Sequence, residues 1–280
     1  MTRTQQKLPG RWAGKTACVI GASDGLGLAL AQCLARQGVK QLFLVARRPE
    51  RLQAIAAQLA AAHPGVQVQS YAADVATAAG AAGLAAAIAG ARAQLDLVVN
   101  AVGLSDRGTA LQLTTERLDE LMRANVHAPL LATQALVPQL ARSATLVYIG
   151  SLSSYLAPRF LGGYALAKHA LRALTQQLRL ELCDQGLHVM LACPGPIARV
   201  DSGSRYAALD TVHELPAAAL QGGGGAKIAG LDPDRLADEI LTAAHQRKLE
   251  LVRPRKVRWL LWLMALCPAW GEACLKRFTA

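Results

Sequence analysis

Tyr164 and Lys168 stand four residues apart in the run Tyr-Ala-Leu-Ala-Lys. On a helix that spacing brings a phenol and an amine to one face. A free tyrosine titrates near ~10, and a neighbouring ammonium favours the phenolate and lowers that value, so the pair could exchange a proton at physiological pH. Tyr155 is the competing phenol, but Arg159 rather than a lysine follows it by four.

The elements that must carry this pair alternate along the chain. Strands are expected at Thr16–Ile20, Gln41–Val45, Val66–Ser70, Leu95–Val99, Ala144–Ile149 and Leu187–Leu191. Helical patterns lie between them, up to about Gln37, over about 49–62 and 77–89, in one long run near 116–141, and over about 162–184 with Tyr164 at its start. Strands separated by helices of this length imply right-handed crossovers and a parallel sheet covered on both faces, a doubly wound α/β domain. The alanines of 76–93 carry no special chemistry, because alanine is the best helix former.

Directly after the first strand comes Gly21-Ala-Ser-Asp-Gly-Leu-Gly27. Glycines at that junction let the backbone turn tightly and approach a pyrophosphate, while the helix start offers free N–H groups to the anion. Ser23 or Asp24 also suits the helix cap.

The glycine loop, Val99-Asn100-Ala-Val-Gly103, Asn125, Ser151 thirteen residues before Tyr164, Tyr164-xxx-Lys168 and Cys193-Pro194-Gly195 occur in an order that resembles the short-chain dehydrogenase/reductase family over about 14–252. The resemblance implies a single Rossmann-type domain with a seven-stranded parallel sheet and an NAD(P)-dependent oxidoreductase. It implies that Tyr164 donates or accepts the proton, that Lys168 binds the nicotinamide ribose and lowers the tyrosine pKa, that Ser151 holds the substrate oxygen, and that Asn125 supports a proton relay. Cofactor contacts are expected from Gly21, Ser23, Asp24, Gly25, Leu26, Gly27, Asp74, Val75, Asn100, Ala101, Gly103, Tyr164, Lys168, Pro194, Gly195 and Ile197. Chemistry agrees, since carbonyl reduction needs a hydride on carbon, a proton on oxygen and a donor to steady the oxyanion. Ser153 and Ser154 compete with Ser151 for that last role, and the thirteen-residue spacing selects Ser151. Departures from the family pattern are Ile20 for threonine, Ala101-Val102 for Asn-Ala, Ala167 for serine, and Arg199 where many relatives carry a threonine that touches the carboxamide.

The end of the second strand reads Val45-Ala-Arg47-Arg48, with no acid for an adenosine ribose. Arginines there pair with a 2′-phosphate, so the expected cofactor is NADP(H), with Arg47 the main contact and Arg48 the second. A variable lid is expected over 200–230, where Tyr206, Leu209, Leu215 and Leu220 offer apolar contact and Gly222–Gly225 a hinge. The expected substrate is a lipophilic ketone or alcohol.

In 280 residues, 52% of them hydrophobic, one large domain and its core are expected. No span of eighteen or more apolar residues occurs and the first residues lack a signal-peptide pattern, so a cytoplasmic location is expected. The six cysteines have no CxxC spacing and read as reduced and mostly buried; the histidines have no metal-binding spacing, and no metal is expected. The net charge of +11 gathers at the ends, +4 in residues 1–15 and +6 in 247–280. Beyond the sheet, 253–280 reads as a basic, apolar helical extension. Its run Trp259–Cys267 is too short to span a bilayer, yet Trp259, Trp262 and Trp270 among flanking cations suit an anionic membrane surface. Packing on a second subunit of a dimer or tetramer, or closure over the substrate cleft, is the alternative. A non-catalytic nucleotide-binding scaffold is the competing function, against which the Asn125, Ser151, Tyr164 and Lys168 set argues. The basic ends lack any RNA-reading motif, so no nucleic acid is expected.

Overall fold

The computed structural model describes residues 10–198 and 228–278. Seven parallel strands form one sheet, β1 Thr16–Ile20, β2 Gln41–Ala46, β3 Gln67–Ala72, β4 Leu95–Asn100, β5 Leu140–Ile149, β6 His188–Pro194 and β7 Glu250–Arg253, in the spatial order β3-β2-β1-β4-β5-β6-β7. Strand order reverses between β1 and β4, and a crevice opens there at the carboxyl ends of the strands. Composition follows position. β1 is buried at every residue and is uninterruptedly apolar after Thr16, whereas β3 lies at the sheet edge and alternates polar residues toward water.

Helices α1 Gly25–Arg36, α2 Pro49–Ala62 and α7 Pro233–His245 cover one face, and α3 Ala78–Gly90, α5 Ala128–Leu136 and α6 Tyr164–Leu182 the other. Two apolar cores result, one on each face of the sheet. Helix α4 Thr115–Met122 and the C-terminal pair α8 Arg258–Leu266 and α9 Pro268–Phe278 complete the set among the described residues.

The continuous helix expected near 116–141 is broken twice. Pro129 lacks an N–H and its ring crowds the carbonyl four residues back, which is that of Asn125. The chain widens into a π turn over Arg123–His127, with the Ala128 N–H reaching the Arg123 carbonyl. Pro138 then sits in a short 3-10 turn, and β5 begins at Leu140 rather than Ala144. The cysteine expectation is also corrected: Cys18, Cys33 and Cys193 are buried, but Cys183 and Cys267 are exposed and Cys274 is half-buried.

Candidate active site

The glycine loop turns directly from β1 into α1. A Cβ on Gly27 would collide with the Gly21 carbonyl oxygen, so only glycine lets α1 start this close to the strand. Asp24 is the N-cap, its carboxylate accepting from the Gly25 N–H at 2.7 Å, which selects it over Ser23 as the cap. The remaining N–H groups of the first turn face a cleft of about 860 Å³.

That cleft crosses the carboxyl ends of the strands. Its wall includes Gly21, Ser23, Asp24, Gly25, Leu26, Gly27, Arg47, Arg48, Asp74, Val75, Ala101, Gly103, Pro194, Gly195 and Ile197 together with Asn125, Ser151, Tyr164 and Lys168. Of the residues proposed from sequence to touch the cofactor, Asn100 alone is not part of the wall. It ends β4 in register with Ile20 and Tyr148, buried behind the surface, and neither atom of its amide has a partner among the described residues. Arg47 and Arg48 are exposed at the rim beyond β2. Asp74 turns one carboxylate oxygen to the Ala76 N–H at 3.1 Å and the other to Arg123 at 3.1 Å. Arg199 and the residues Tyr206 to Gly225 assigned to the lid lie outside the described residues.

At the other end of the cleft α6 begins with Tyr164, and Lys168 follows one turn later with its Nζ 5.7 Å from the phenol ring centroid. Lys168 is buried and donates to the Ile149 carbonyl at 2.9 Å. Burial lowers its pKa from the ordinary 10.5 to about 8, which leaves it cationic at neutral pH. Asn125 sits in the π turn, where its Nδ2 donates to the carbonyls of Leu104 and Leu121, both at 2.9 Å, while its Oδ1 is buried without a partner among the described residues. A Cβ at Gly103 would lie 2.8 Å from that Oδ1 and 3.3 Å from Lys168 Nζ, so the two polar groups flank the same glycine. The π turn carries the backbone of Asn125, and the Nδ2 bond to the Leu121 carbonyl four residues back fixes the amide there.

Ser151 leads from β5 into a short turn as its N-cap, with its Oγ accepting from the Ser153 N–H at 3.1 Å. Ser153 also reaches the cleft wall, whereas Ser154 lies outside it, fully buried, with its hydroxyl accepting from the Ser151 N–H. Tyr155 is excluded as the phenol of the site. It stacks beneath the Arg172 guanidinium at 4.4 Å, outside the cleft wall, and burial pushes its pKa up.

The wall also holds groups that the sequence did not place among the cofactor or catalytic residues, including Trp259, which was expected at a membrane surface and lines the cleft instead. Buried Arg107 follows β4, and Val257, Trp259, Leu260 and Leu275 come from the C-terminal segment. Val257 and Leu260 pack on Leu152 and Leu156 of the serine turn, so α8 closes one side of the cleft. Trp262, Leu266 and Trp270 of the same helical pair point to solvent, 64%, 74% and 74% exposed. No described helix is long and apolar enough to cross a membrane.

A crevice at the reversal of a parallel sheet, with a glycine turn at one end and a tyrosine–lysine pair at the other, defines a nucleotide-dependent oxidoreductase of the Rossmann class. The short chain dehydrogenase family model matches residues 15–207, and the chain belongs to that family. Among curated relatives, dehydrogenase/reductase SDR family member 7B of Danio rerio is 28% identical over 252 residues, covering 85% of this chain and 76% of that protein. Short chain dehydrogenase andI of Emericella variicolor is 32% identical over 197 residues, 68% of each chain. Among solved structures, L-sorbose reductase from Gluconobacter frateurii, complexed with NADPH and L-sorbose, has a TM-score of 0.75 at 25% identity over 86% of this chain and 95% of that one. A short chain dehydrogenase from Burkholderia cenocepacia J2315 in complex with NADP has a TM-score of 0.72 at 26% identity, over 87% and 97%.

Proposed function

We propose that the protein is an NADP(H)-dependent reductase of a lipophilic ketone or aldehyde. The observation that carries this reading is the single cleft whose wall runs from Arg47 and Arg48 at one rim, past the start of α1, to Ser151, Tyr164 and Lys168. The residues fit the cofactor: arginines suit a 2′-phosphate, the α1 N-terminus suits a pyrophosphate, and the short Gly21–Gly27 approach leaves the backbone open to it. NADPH complexes of the Gluconobacter frateurii enzyme and the NADP complex from Burkholderia cenocepacia support the same choice.

When bound, NADP(H) supplies the hydride and a nicotinamide ribose beside Lys168. Ser151 Oγ donates a hydrogen bond to the substrate oxygen and Tyr164 donates the proton to it. Lys168, cationic at neutral pH, holds the phenol in a state from which a proton transfers readily. Asn125 Oδ1, buried and without a partner among the described residues, is the acceptor left for a proton relay that starts at Lys168. Leu152, Leu156, Val257, Leu260 and Leu275 line the substrate end and favour an apolar body on the carbonyl. The exposed Trp262, Leu266 and Trp270, with Arg255, Lys256, Arg258, Lys276 and Arg277 close by in sequence, support peripheral binding to an anionic leaflet.

A panel of hydrophobic aldehydes and ketones with NADPH, run beside Tyr164→Phe, tests the chemistry. Turnover should fall by roughly 10²- to 10⁴-fold in the variant with NADPH binding retained; an enzyme that binds NADPH and reduces nothing in the panel favours the scaffold. Arg47→Asp should shift preference toward NADH, and an unchanged ratio removes the cofactor assignment. Flotation with anionic liposomes, full chain against a chain ending at Arg255, tests the surface, and equal flotation of the two sinks it.

A further inference from the structure

Helix α6 starts at the very residue that carries the chemistry, and its N-cap, Gly163, offers no side chain to hold the free N–H groups. The missing cap comes from 57 residues earlier. Asp106, only 3% exposed in the loop between β4 and α4, accepts from the Gly163 N–H through Oδ2 at 3.2 Å. Its other oxygen, Oδ1, accepts from Arg117 of α4 twice, from Nε at 3.0 Å and Nη2 at 2.8 Å. Around this carboxylate the loop and the turn before α6 are laced by backbone: the Gly108 N–H donates to the Phe160 carbonyl at 3.1 Å, and the Gly162 N–H to the Gly108 carbonyl at 2.9 Å.

The turn being held is an unfavourable one. Phe160 and Gly162 have φ of 63° and 51°, and a side chain costs energy in that region. At Gly162 a Cβ would run into Asp106 Oδ2, so this position takes glycine for both reasons. Such a turn keeps its shape only where its surroundings over-determine it, and the Asp106 contacts are those surroundings. The same loop carries the Leu104 carbonyl, which Asn125 Nδ2 grips at 2.9 Å. One short segment, 104–108, therefore touches the relay asparagine at one end and the first turn of the tyrosine helix at the other.

We infer that the Asp106–Arg117 clasp is a positioning device for the reaction, fixing the first turn of α6 so that the Tyr164 hydroxyl meets the substrate oxygen within reach of Lys168. Asp106 and Arg117 are absent from the cleft wall, so they act through Gly163 and not on substrate. The inference rests on the proposed role of Tyr164, and it extends the site to an ion pair outside the cleft. A displacement of about 1 Å in a reacting group can cost on the order of 10²-fold in rate, so loosening this turn should be read in turnover before it is read in binding.

The test uses the full chain with Asp106→Asn, Asp106→Ala and Arg117→Lys. In Asp106→Asn the amide has one oxygen where the carboxylate has two, so it can accept from Gly163 or from Arg117 but not from both. Arg117→Lys keeps a positive charge opposite Asp106. Three readouts are taken: NADPH affinity from nicotinamide fluorescence, kcat and KM on a carbonyl reduced by the wild type, and the titration of Tyr164 from tyrosinate absorbance, obtained by subtracting the matching Tyr164→Phe background. The other charged groups that line the cleft, among them Lys168 on the same helix as Tyr164, Arg107 on the loop, Arg123 in the π turn, Lys256 ahead of α8 and the acid Glu120, remain in every variant.

The expected result for Asp106→Asn is a kcat lower by about 10- to 100-fold with KM and NADPH affinity within about threefold, and a Tyr164 titration moved upward as the phenol leaves Lys168. Arg117→Lys should retain most of the wild-type kcat and titration. A lower melting temperature with kcat per folded site and the Tyr164 titration unchanged would overturn the inference and leave the clasp merely structural. Should Asp106→Ala fail to fold, Asp106→Asn and Arg117→Lys carry the same comparison. The phenol titration needs no substrate: if it moves in Asp106→Asn while the wild type reduces no carbonyl, positioning stands and the reductase reading falls.

Discussion

On the β1–β3 side of the cleft the contributing groups lie within a few residues of the strand end that presents them: Gly21 follows Ile20, Arg47 follows Ala46, and Asp74 comes two residues after Ala72. On the β4–β7 side such strand-end groups, Ala101, Ser151 and Pro194, are joined by others brought in across the chain. Ser151 follows β5 and Tyr164 opens α6. Asn125 rides a π turn, Asp106 caps a helix 57 residues on, and Leu260 arrives from beyond β7. The first side is set by the strand–turn–helix unit that repeats along the sheet, so its geometry is local. The second depends on tertiary contacts, and substitutions there should act at a distance. Four measurements probe that difference.

The largest effect is expected on the local side. Gly27→Ala puts a methyl group against the Gly21 carbonyl, and backbone cannot yield as a flexible side chain would. The helix must move off β1, at a cost at or above the upper end of the ~1–3 kcal/mol typical of overpacking. Because the α1 N-terminus moves with it, NADPH affinity should fall in parallel, whereas the Tyr164 titration should not change. Denaturant unfolding and fluorescence binding check both. A stable Gly27→Ala protein that binds NADPH normally would break the picture of a tightly built glycine turn.

Lys168→Met probes the distant side through its buried charge. The folded-state pKa of about 8 lies below the ordinary 10.5, so burying the ammonium destabilises the fold wherever the lysine is protonated, below about pH 8. Between pH 8 and 10.5 the unfolded chain binds more protons, and wild-type stability should rise with pH through that window. The difference corresponds to roughly 3 kcal/mol. Lys168→Met should therefore stabilise the cofactor-free protein by up to that amount at about pH 7, less the loss of the bond to the Ile149 carbonyl, with the gain shrinking toward about pH 10. Reduction should be lost in the same variant. A melting temperature below wild type at neutral pH would show that the ammonium is not the burden its burial implies.

How far the sequence carried the reading follows the same division. The sheet, its crossovers and the glycine loop were legible because hydrophobic period, turn residues and caps are written within a few residues of where they act. The cleft wall collects the expected Arg47, Asp74, Ser151, Tyr164 and Lys168. Asn100 was expected as a contact from the motif Val99–Gly103 that carries the family resemblance, and its strand-end register places it behind the wall. The break between α4 and α5 has its signal in Pro129, which stands inside an otherwise helical pattern. Asp106 had no such signal. Nothing near it in sequence says that a helix 57 residues later lacks a cap, and that fact exists only once the loop after β4 lies against the start of α6. For the apolar run after Pro254 the sequence offered membrane surface, second subunit and substrate cleft as partners, and it could not choose because Leu260 reaches Leu152 and Leu156 of the cleft only through the path of β7.

Leu260→Ala measures the distant wall itself. Leu260 is 7% exposed in a small cluster with Val257, Leu152 and Leu156. Leucine truncations cost ~2–5 kcal/mol, and a site at the edge of a cleft can collapse or admit water, so the loss should lie near ~2 kcal/mol. KM for an apolar carbonyl should rise while NADPH affinity stays level, because Leu260 packs at the end of the cleft proposed for substrate, beside Leu152 and Leu156. Equal losses in both would mean that α8 braces the whole cleft rather than one wall.

The smallest effect should come from the helix cap on the local side, and it sharpens the comparison because α1 and α6 face the same cleft. Asp24 caps α1 from the adjacent position, half exposed, with an exposed partner in Arg51 at 3.4 Å. Loss of such a cap costs ~1 kcal/mol, and an ion pair this open to water adds little. Asp24→Ala should accordingly lower stability by about 1 kcal/mol in denaturant unfolding. NADPH affinity should hold or tighten, since a carboxylate leaves the N-terminus proposed to receive the pyrophosphate. Asp106 performs the same capping on α6, but buried, from a remote segment and with Arg117 attached to it. If Asp24→Ala and Asp106→Ala cost the fold and the turnover equally, the distance over which each cap is supplied has no functional weight, and the two sides of the cleft differ in sequence alone. A small stability change for the first, against a turnover defect for the second, is what a local cap and a remote clasp each require.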